Sequence, residues 1–223
     1  PDKVEFLKEP LRFVPIPSVA RKQHVWLLAQ IEAAKEVSNT THLNFTLGQG
    51  DLGIITSGVS YAYVVESLEM LGVEAETMKL GMTHPVPEKM LLDFLRRHKH
   101  VIVVEELEPF LETHARRLAQ LNSIDVLISG KEQGFFPRIY ELSPRLVAAG
   151  VSRCISRNTP SEWGGTEERT AGVPQLPPRP PLLCAGCPHR ATYYAIRTAT
   201  RGKAIYPSDI GCYTLSISPP LET

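Results

Sequence analysis

An α/β fold, with a parallel sheet flanked by helices, is the architecture this sequence predicts, and three observations carry the prediction. V-I-V-V-E-E at residues 101–106 is a continuous apolar run, the pattern of a strand covered on both faces. Short apolar runs alternate with stretches of helical period from residue 51 to residue 128. The connections between them are short, as in consecutive strand–helix–strand units. A long Pro-rich linker follows this domain, and after it the start of a second α/β domain.

Taken in order, residues 1–17 hold Pro1, Pro10, Pro15 and Pro17 among apolar residues and predict an extended lead-in. Ser18 is placed to cap a helix. Val25, Leu28, Ile31, Ala34 and Val37 then recur at helical spacing until residues 39–44 break the pattern. D-L-G-I-I-T-S-G at 51–58 reads as a strand, 59–71 as a helix ended by Gly72, and 74–80 as a strand. A second helix spans 87–97, with Met90, Leu91, Phe94 and Leu95 on one side. The central strand 101–106 follows, then a third helix at 109–121 and a strand at 124–128. Ser143 and Pro144 have the residue types of an N-cap and a first helical position, and Gly150 is expected to close that helix.

Within this domain Thr56, Ser57 and Gly58 form a turn between a strand and a helix. It is either an anion-binding turn or, the favoured reading, an ordinary tight one. Glu105 and Glu106 end the central strand on opposite faces, so they are not an acid–base pair. One of them is expected to meet a helix N-terminus or a partner chain. His84 in the T-H-P-V-P loop at 83–87 reads as structural.

Composition excludes several classes. Lys+Arg and Asp+Glu are equal at 24 each, which leaves no electrostatic footprint for nucleic acid. No apolar run is long enough to span a bilayer, and the first residues do not resemble a signal peptide. A start at Pro1 points to a piece of a longer protein. Of four cysteines, three sit at Gly-containing turns, which suits metal or redox use in a reducing, cytoplasmic compartment. Cys154 stands apart and reads as a buried thiol. Many of the 19 prolines fall between Pro160 and Pro188, marking a surface connection.

The stretch from 179 onward reads R-P-P-L-L-C-A-G-C-P-H-R, a helical segment at 190–200, then Y-P-S-D-I-G-C-Y-T-L. Cys184 and Cys187 form a C-x-x-C pair, and Cys212 follows Gly211. Zinc sites, thiol–disulfide sites and iron–sulfur sites all use this pair. His189 lies too close to Cys187 for usual zinc-ligand spacing. Pro188 suits the first residue of a helix, whose positive dipole end would then face Cys187 and His189 and favour an anion such as a diphosphate.

C-A-G-C-P-H-R followed by Y-P-S-D-I-G-C-Y-T-L resembles the start of the thiamine-diphosphate-binding domain of the indolepyruvate ferredoxin oxidoreductase alpha subunits, a family of thiamine-diphosphate-dependent 2-oxoacid:ferredoxin oxidoreductases. L-G-I-I-T-S-G-V-S-Y, L-G-M-T-H-P-V-P and V-V-E-E-L-E-P-F-L-E resemble the same family's transketolase C-terminal-like domain, in the family's order. The resemblance runs from about residue 10 to the end.

That resemblance implies oxidative decarboxylation of an aryl pyruvate, with electrons passing singly through iron–sulfur clusters to ferredoxin and the acyl group passing to coenzyme A. It implies a beta subunit as partner. By position, Gly186, Cys187, His189, Asp209, Ile210, Gly211 and Cys212 would surround the diphosphate end of thiamine diphosphate. Cys184, Cys187 and Cys212 either ligate a [4Fe–4S] cluster, with a fourth ligand elsewhere, or only shape the diphosphate turn. Ala185 and Ser216 depart from the residues usual in the family. The Gly-Asp-then-Asn motif that holds Mg2+ in thiamine enzymes is absent, so this stretch of chain is expected to be inactive alone. The implied organisation is a lead-in and connecting helix (1–44), a transketolase C-terminal-like domain (45–150), a linker (151–181) and a truncated thiamine-binding domain (182–223). Two alternatives stand beside this reading: a non-catalytic metal-binding or subunit-interaction module, and the same enzyme class acting on another 2-oxoacid.

Overall fold

A computed structural model of the chain describes residues 7–158, 177, 179–207 and 209–222. The chain divides into two compact units, Pro1–Gly165 and Thr166–Thr223.

The first unit is built on a five-stranded sheet, β1 (Phe45–Leu47), β2 (Leu52–Ser57), β3 (Glu76–Leu80), β4 (His100–Val104) and β5 (Leu127–Ser129), in the order β1-β3-β2-β4-β5. β2, β3, β4 and β5 pair in parallel, as predicted. The added edge strand β1 is antiparallel to β3, so the sheet is mixed at one edge. Helices α1 (Pro10–Phe13) and α2 (Pro17–Thr40) precede the sheet. α3 (Ser60–Leu71), α4 (Glu88–Arg97), α5 (Phe110–Leu121) and α6 (Pro144–Cys154) cover its faces.

β4 explains its own sequence. Val101 and Val103 pack into a core with Leu91, Phe94 and Leu95 of α4 and Leu111 of α5. Ile102 and Val104 pack into the opposite core with Val64 of α3 and Val147 and Val151 of α6. All four strand residues are fully buried, so both faces of a period-two strand are apolar and no polar alternation survives. Gly72 ends α3 in the left-handed conformation at φ 59°, as the sequence suggests.

Four expectations are corrected. The lead-in is not wholly extended, because residues 10–13 form the one-turn α1. Ser18 is not the cap of α2: Ile16 takes that position with no side-chain hydrogen bond, and Pro17 is the first helical residue. A proline has no N–H to be capped, so it fits one place earlier. α2 also continues to Thr40, past Asn39. Its end is held by Asn39, which accepts from Lys89 N at 3.0 Å, and by buried Asn44, which donates to Ser38 O at 2.7 Å and accepts from Gly81 N at 2.8 Å. Finally, Gly150 does not close α6, which runs on to Cys154. A Cβ at 150 would lie 2.2 Å from the Phe136 ring, so this glycine admits the ring. Ser143 does cap α6, accepting from Leu146 N at 3.3 Å. The Pro-rich connection falls for the most part outside the described residues.

The carboxylates after β4 each reach a backbone donor. Glu105 is buried and accepts from Leu111 N at 2.8 Å and Glu112 N at 3.0 Å. It therefore satisfies two of the orphan donors of α5. Glu106, on the other face, accepts from Leu142 N at 3.1 Å. Burial raises the Glu105 pKa above the ordinary carboxylate value, and the two backbone hydrogen bonds oppose the rise.

Candidate cofactor site

The second unit contains helix α7 (Pro188–Thr200) and a 3-10 helix, Cys212–Ile217. α7 starts at Pro188, the residue that suits the first helical position in the sequence, because its ring supplies a preset φ there. The C-x-x-C segment forms the turn that leads into it. Cys187 N–H donates to Cys184 O at 3.2 Å. Gly186 holds φ 72°, and the space where its side chain would stand is open, with no atom within 4 Å. A left-handed residue with no Cβ lets a ligand approach the backbone there.

Cys187 is the N-cap of α7 but its side chain caps nothing, and no acidic residue stands in the first turn. The first N–H groups of α7 are therefore free of side-chain caps, and the helix dipole presents its positive end beside Gly186. Arg190 adds a guanidinium in that first turn. It donates to Leu183 O, and its buried Nε has no hydrogen-bond partner.

The D-I-G-C segment is folded by its own side chains. Asp209 Oδ1 accepts from Ile210 N at 2.7 Å, and Thr214 Oγ1 donates to Asp209 O at 3.2 Å. Gly211 has φ 157° and ψ −154°, a region that residues with a side chain almost never occupy. The 3-10 helix starts directly after it. The two halves of the predicted site meet through one ring contact: His189 and Tyr213 lie edge to face, with centroids 4.5 Å apart. Tyr213 was not singled out by sequence reasoning, although its place beside Cys212 is the signal that would have found it.

The seven predicted diphosphate residues thus fall on two neighbouring segments, Gly186, Cys187 and His189 at the head of α7, and Asp209, Ile210, Gly211 and Cys212 before the 3-10 helix. Ile210 is 93% exposed. The arrangement suits an anion: uncapped N–H groups, two glycines in conformations that favour glycine, and a cationic side chain in the first turn. It does not present a gathered metal-ligand set. All four cysteines are free, Cys184 and Cys212 are exposed, and Cys187 is half-buried. Among the described residues no three of His, Cys, Asp and Glu are grouped closely enough to hold a metal ion. Cys154 is half-buried in the first unit, and burial pushes its thiol pKa up to about 12.

The turn at Thr56, Ser57 and Gly58 links β2 to α3 in the first unit. Gly58 has φ 55°, and the hydroxyls of Thr56 and Ser60 are buried without a hydrogen-bond partner. No helix among the described residues is long and apolar enough to cross a membrane.

No protein-family model matches the chain. Its sequence is similar to that of the indolepyruvate oxidoreductase subunit IorA of Pyrococcus horikoshii, 43% identical over 98% of this chain and 34% of the relative. The subunit of the same name from Thermococcus kodakarensis is also 43% identical, over 98% of this chain and 34% of its own length. The chain therefore spans about a third of the length of these relatives. A 2-oxoglutarate:ferredoxin oxidoreductase from Magnetococcus marinus aligns in structure with a TM-score of 0.42, 19% identity, 63% of this chain and 24% of that one.

Proposed function

We propose that these residues form part of an indolepyruvate oxidoreductase subunit that converts aryl pyruvates to acyl-CoA with ferredoxin as electron acceptor. The observation that carries the reading is the 43% identity to the IorA subunit along 98% of the chain. In this reading the second unit contributes one wall of a thiamine diphosphate site. Gly186, Cys187 and His189 receive the diphosphate on the uncapped head of α7, and the segment Asp209, Ile210, Gly211 and Cys212 flanks it. His189 is held in place by its contact with Tyr213. Bound thiamine diphosphate would supply the electron sink that a 2-oxoacid needs to lose carbon dioxide. The Mg2+ ligands, the beta subunit and the remaining walls of the site come from outside these residues.

Ligation of an iron–sulfur cluster by Cys184, Cys187 and Cys212 requires a rearrangement that gathers the three thiols, plus a fourth ligand. Iron analysis and electron paramagnetic resonance of anaerobically prepared complex test that part by themselves.

The reading as a whole is tested with the full-length subunit and its beta partner, supplied with indolepyruvate, coenzyme A and oxidised ferredoxin. Ferredoxin reduction is expected from the complex and none from residues 1–223 alone. Gly211→Ala is expected to weaken thiamine diphosphate binding by the complex at least about tenfold, because a Cβ would force the Gly-only backbone to change. A complex that turns over no 2-oxoacid would overturn the reading. Faster turnover of a non-aryl 2-oxoacid would replace the substrate while keeping the enzyme class.

A further inference from the structure

The guanidinium of Arg190, in the first turn of α7, is turned inward. Side chains on a helix lean toward its N-terminus, so residue 190 reaches back over the turn that precedes the helix. There Arg190 donates to Leu183 O. Its Nε is buried, whereas an arginine that served as a surface charge would keep its guanidinium in water. Leu183 is itself buried, at 5% exposure. The guanidinium therefore joins the chain that enters the C-x-x-C turn to the helix that leaves it.

Among the described residues little else fixes that turn. Its internal hydrogen bond runs from Cys187 N–H to Cys184 O at 3.2 Å, and Cys187 offers no side-chain cap. Gly186 sits at φ 72°, and glycine gives up more conformational freedom on ordering than any other residue. A short segment of this kind keeps its N–H groups in one direction only when both of its ends are held. Position 190 is also an unfavourable place for a cation, because the N-terminal end of a helix is itself positive. No acidic residue in the first turn offsets that repulsion. An anion received by the turn would remove it, and the guanidinium would then add its charge from behind the turn.

We propose that Arg190 is a positioning residue for the diphosphate. It acts through the backbone: by clamping Leu183 O to the first turn of α7, it holds the C-x-x-C turn in its receiving shape before the anion arrives. The inference rests on the thiamine diphosphate site proposed above, and adds to it a residue that touches the turn and not the ligand. Preorganisation of this kind lowers the cost of binding and leaves the bound geometry unchanged. Arginine suits the role better than lysine. Its planar fork fixes direction, whereas a lysine ammonium supplies a point charge on a flexible stem.

The test uses the full-length subunit with its beta partner. Calorimetry reads thiamine diphosphate binding in the presence of Mg2+, and ferredoxin reduction reads turnover at saturating cofactor. Arg190→Gln is expected to raise the dissociation constant at least about tenfold. Its kcat at saturation should stay within about twofold of wild type, since the same bound state is reached. Arg190→Lys keeps the charge and loses the fork, and should weaken binding at least about threefold. Circular dichroism is the folding control, and if Arg190→Gln unfolds, Arg190→Lys decides. Binding by Arg190→Gln within about twofold of wild type overturns the inference and leaves the proposed site standing. So does an Arg190→Lys complex equal to wild type, which would mean that charge alone suffices, or a kcat that falls while the dissociation constant holds. A wild-type complex that binds no thiamine diphosphate overturns both the inference and the site.

Discussion

Replacing Glu105 tests whether the crest of the sheet is organised as described. Its buried carboxylate accepts from Leu111 N at 2.8 Å and Glu112 N at 3.0 Å. Glu105→Ala leaves both donors without a partner in a buried place, and each such orphan costs about 1–3 kcal/mol. The expected loss is about 2–5 kcal/mol, or roughly 5–15 °C in Tm for a unit of this size. Glu105→Gln keeps one carbonyl acceptor and turns an amide N–H against the other donor, so its cost is smaller, about 1–2 kcal/mol.

The pH dependence has a definite sign. Burial raises the folded-state pKa of Glu105 above its ordinary 4.5. The folded protein therefore holds this proton more tightly than the unfolded chain does, and the group's contribution to stability falls as pH rises from about 4.5 through the raised value. Glutamine has no such titration. The penalty of Glu105→Gln relative to wild type should shrink between pH 4.5 and 7 when urea unfolding is followed by circular dichroism. A penalty that grows over that range would refute the reasoning, because it would mean that the two N–H groups outweigh burial.

Gly150→Ala should destabilise the first unit by about 1–2 kcal/mol in urea unfolding: alanine gains up to about 1 kcal/mol of helix propensity, but its Cβ would sit 2.2 Å from the Phe136 ring, and overpacking costs about 1–3 kcal/mol. A stabilised variant would show that the ring is free to move. Thiol titration of the native chain should label exposed Cys184 and Cys212 promptly and Cys154, with its pKa near 12, only on unfolding. Prompt labelling of Cys154, located by peptide mapping, would refute its burial.

The sequence discloses the parts of this fold that repeat a pattern. β4 is legible because burial on both faces leaves it wholly apolar, and α4 because Leu91, Phe94 and Leu95 line one side. Parts fixed by contacts distant in sequence are less legible. β1 has three residues, with the pattern half-buried, exposed, exposed, so it carries no alternation, and its pairing with β3 decides it. Gly150 looks like a stop because glycine commonly ends helices, and its partner Phe136 cannot be inferred from helical periodicity. In the second unit the residue types at the head of α7 were readable as an anion turn, since Pro188, Gly186 and the missing first-turn acid are all local. The relation of Cys212 to Cys184 and Cys187 was not, because C-x-x-C followed by a third cysteine fixes distance along the chain and leaves distance through space open.

Both margins of the sheet are closed by three-residue strands, β1 and β5. So short a margin gives an incoming strand little to register against. Lateral growth of the sheet, the route by which exposed strands recruit other chains into fibres, is thereby blunted at both ends. Contacts of this unit with other chains are thereby directed away from its strand edges.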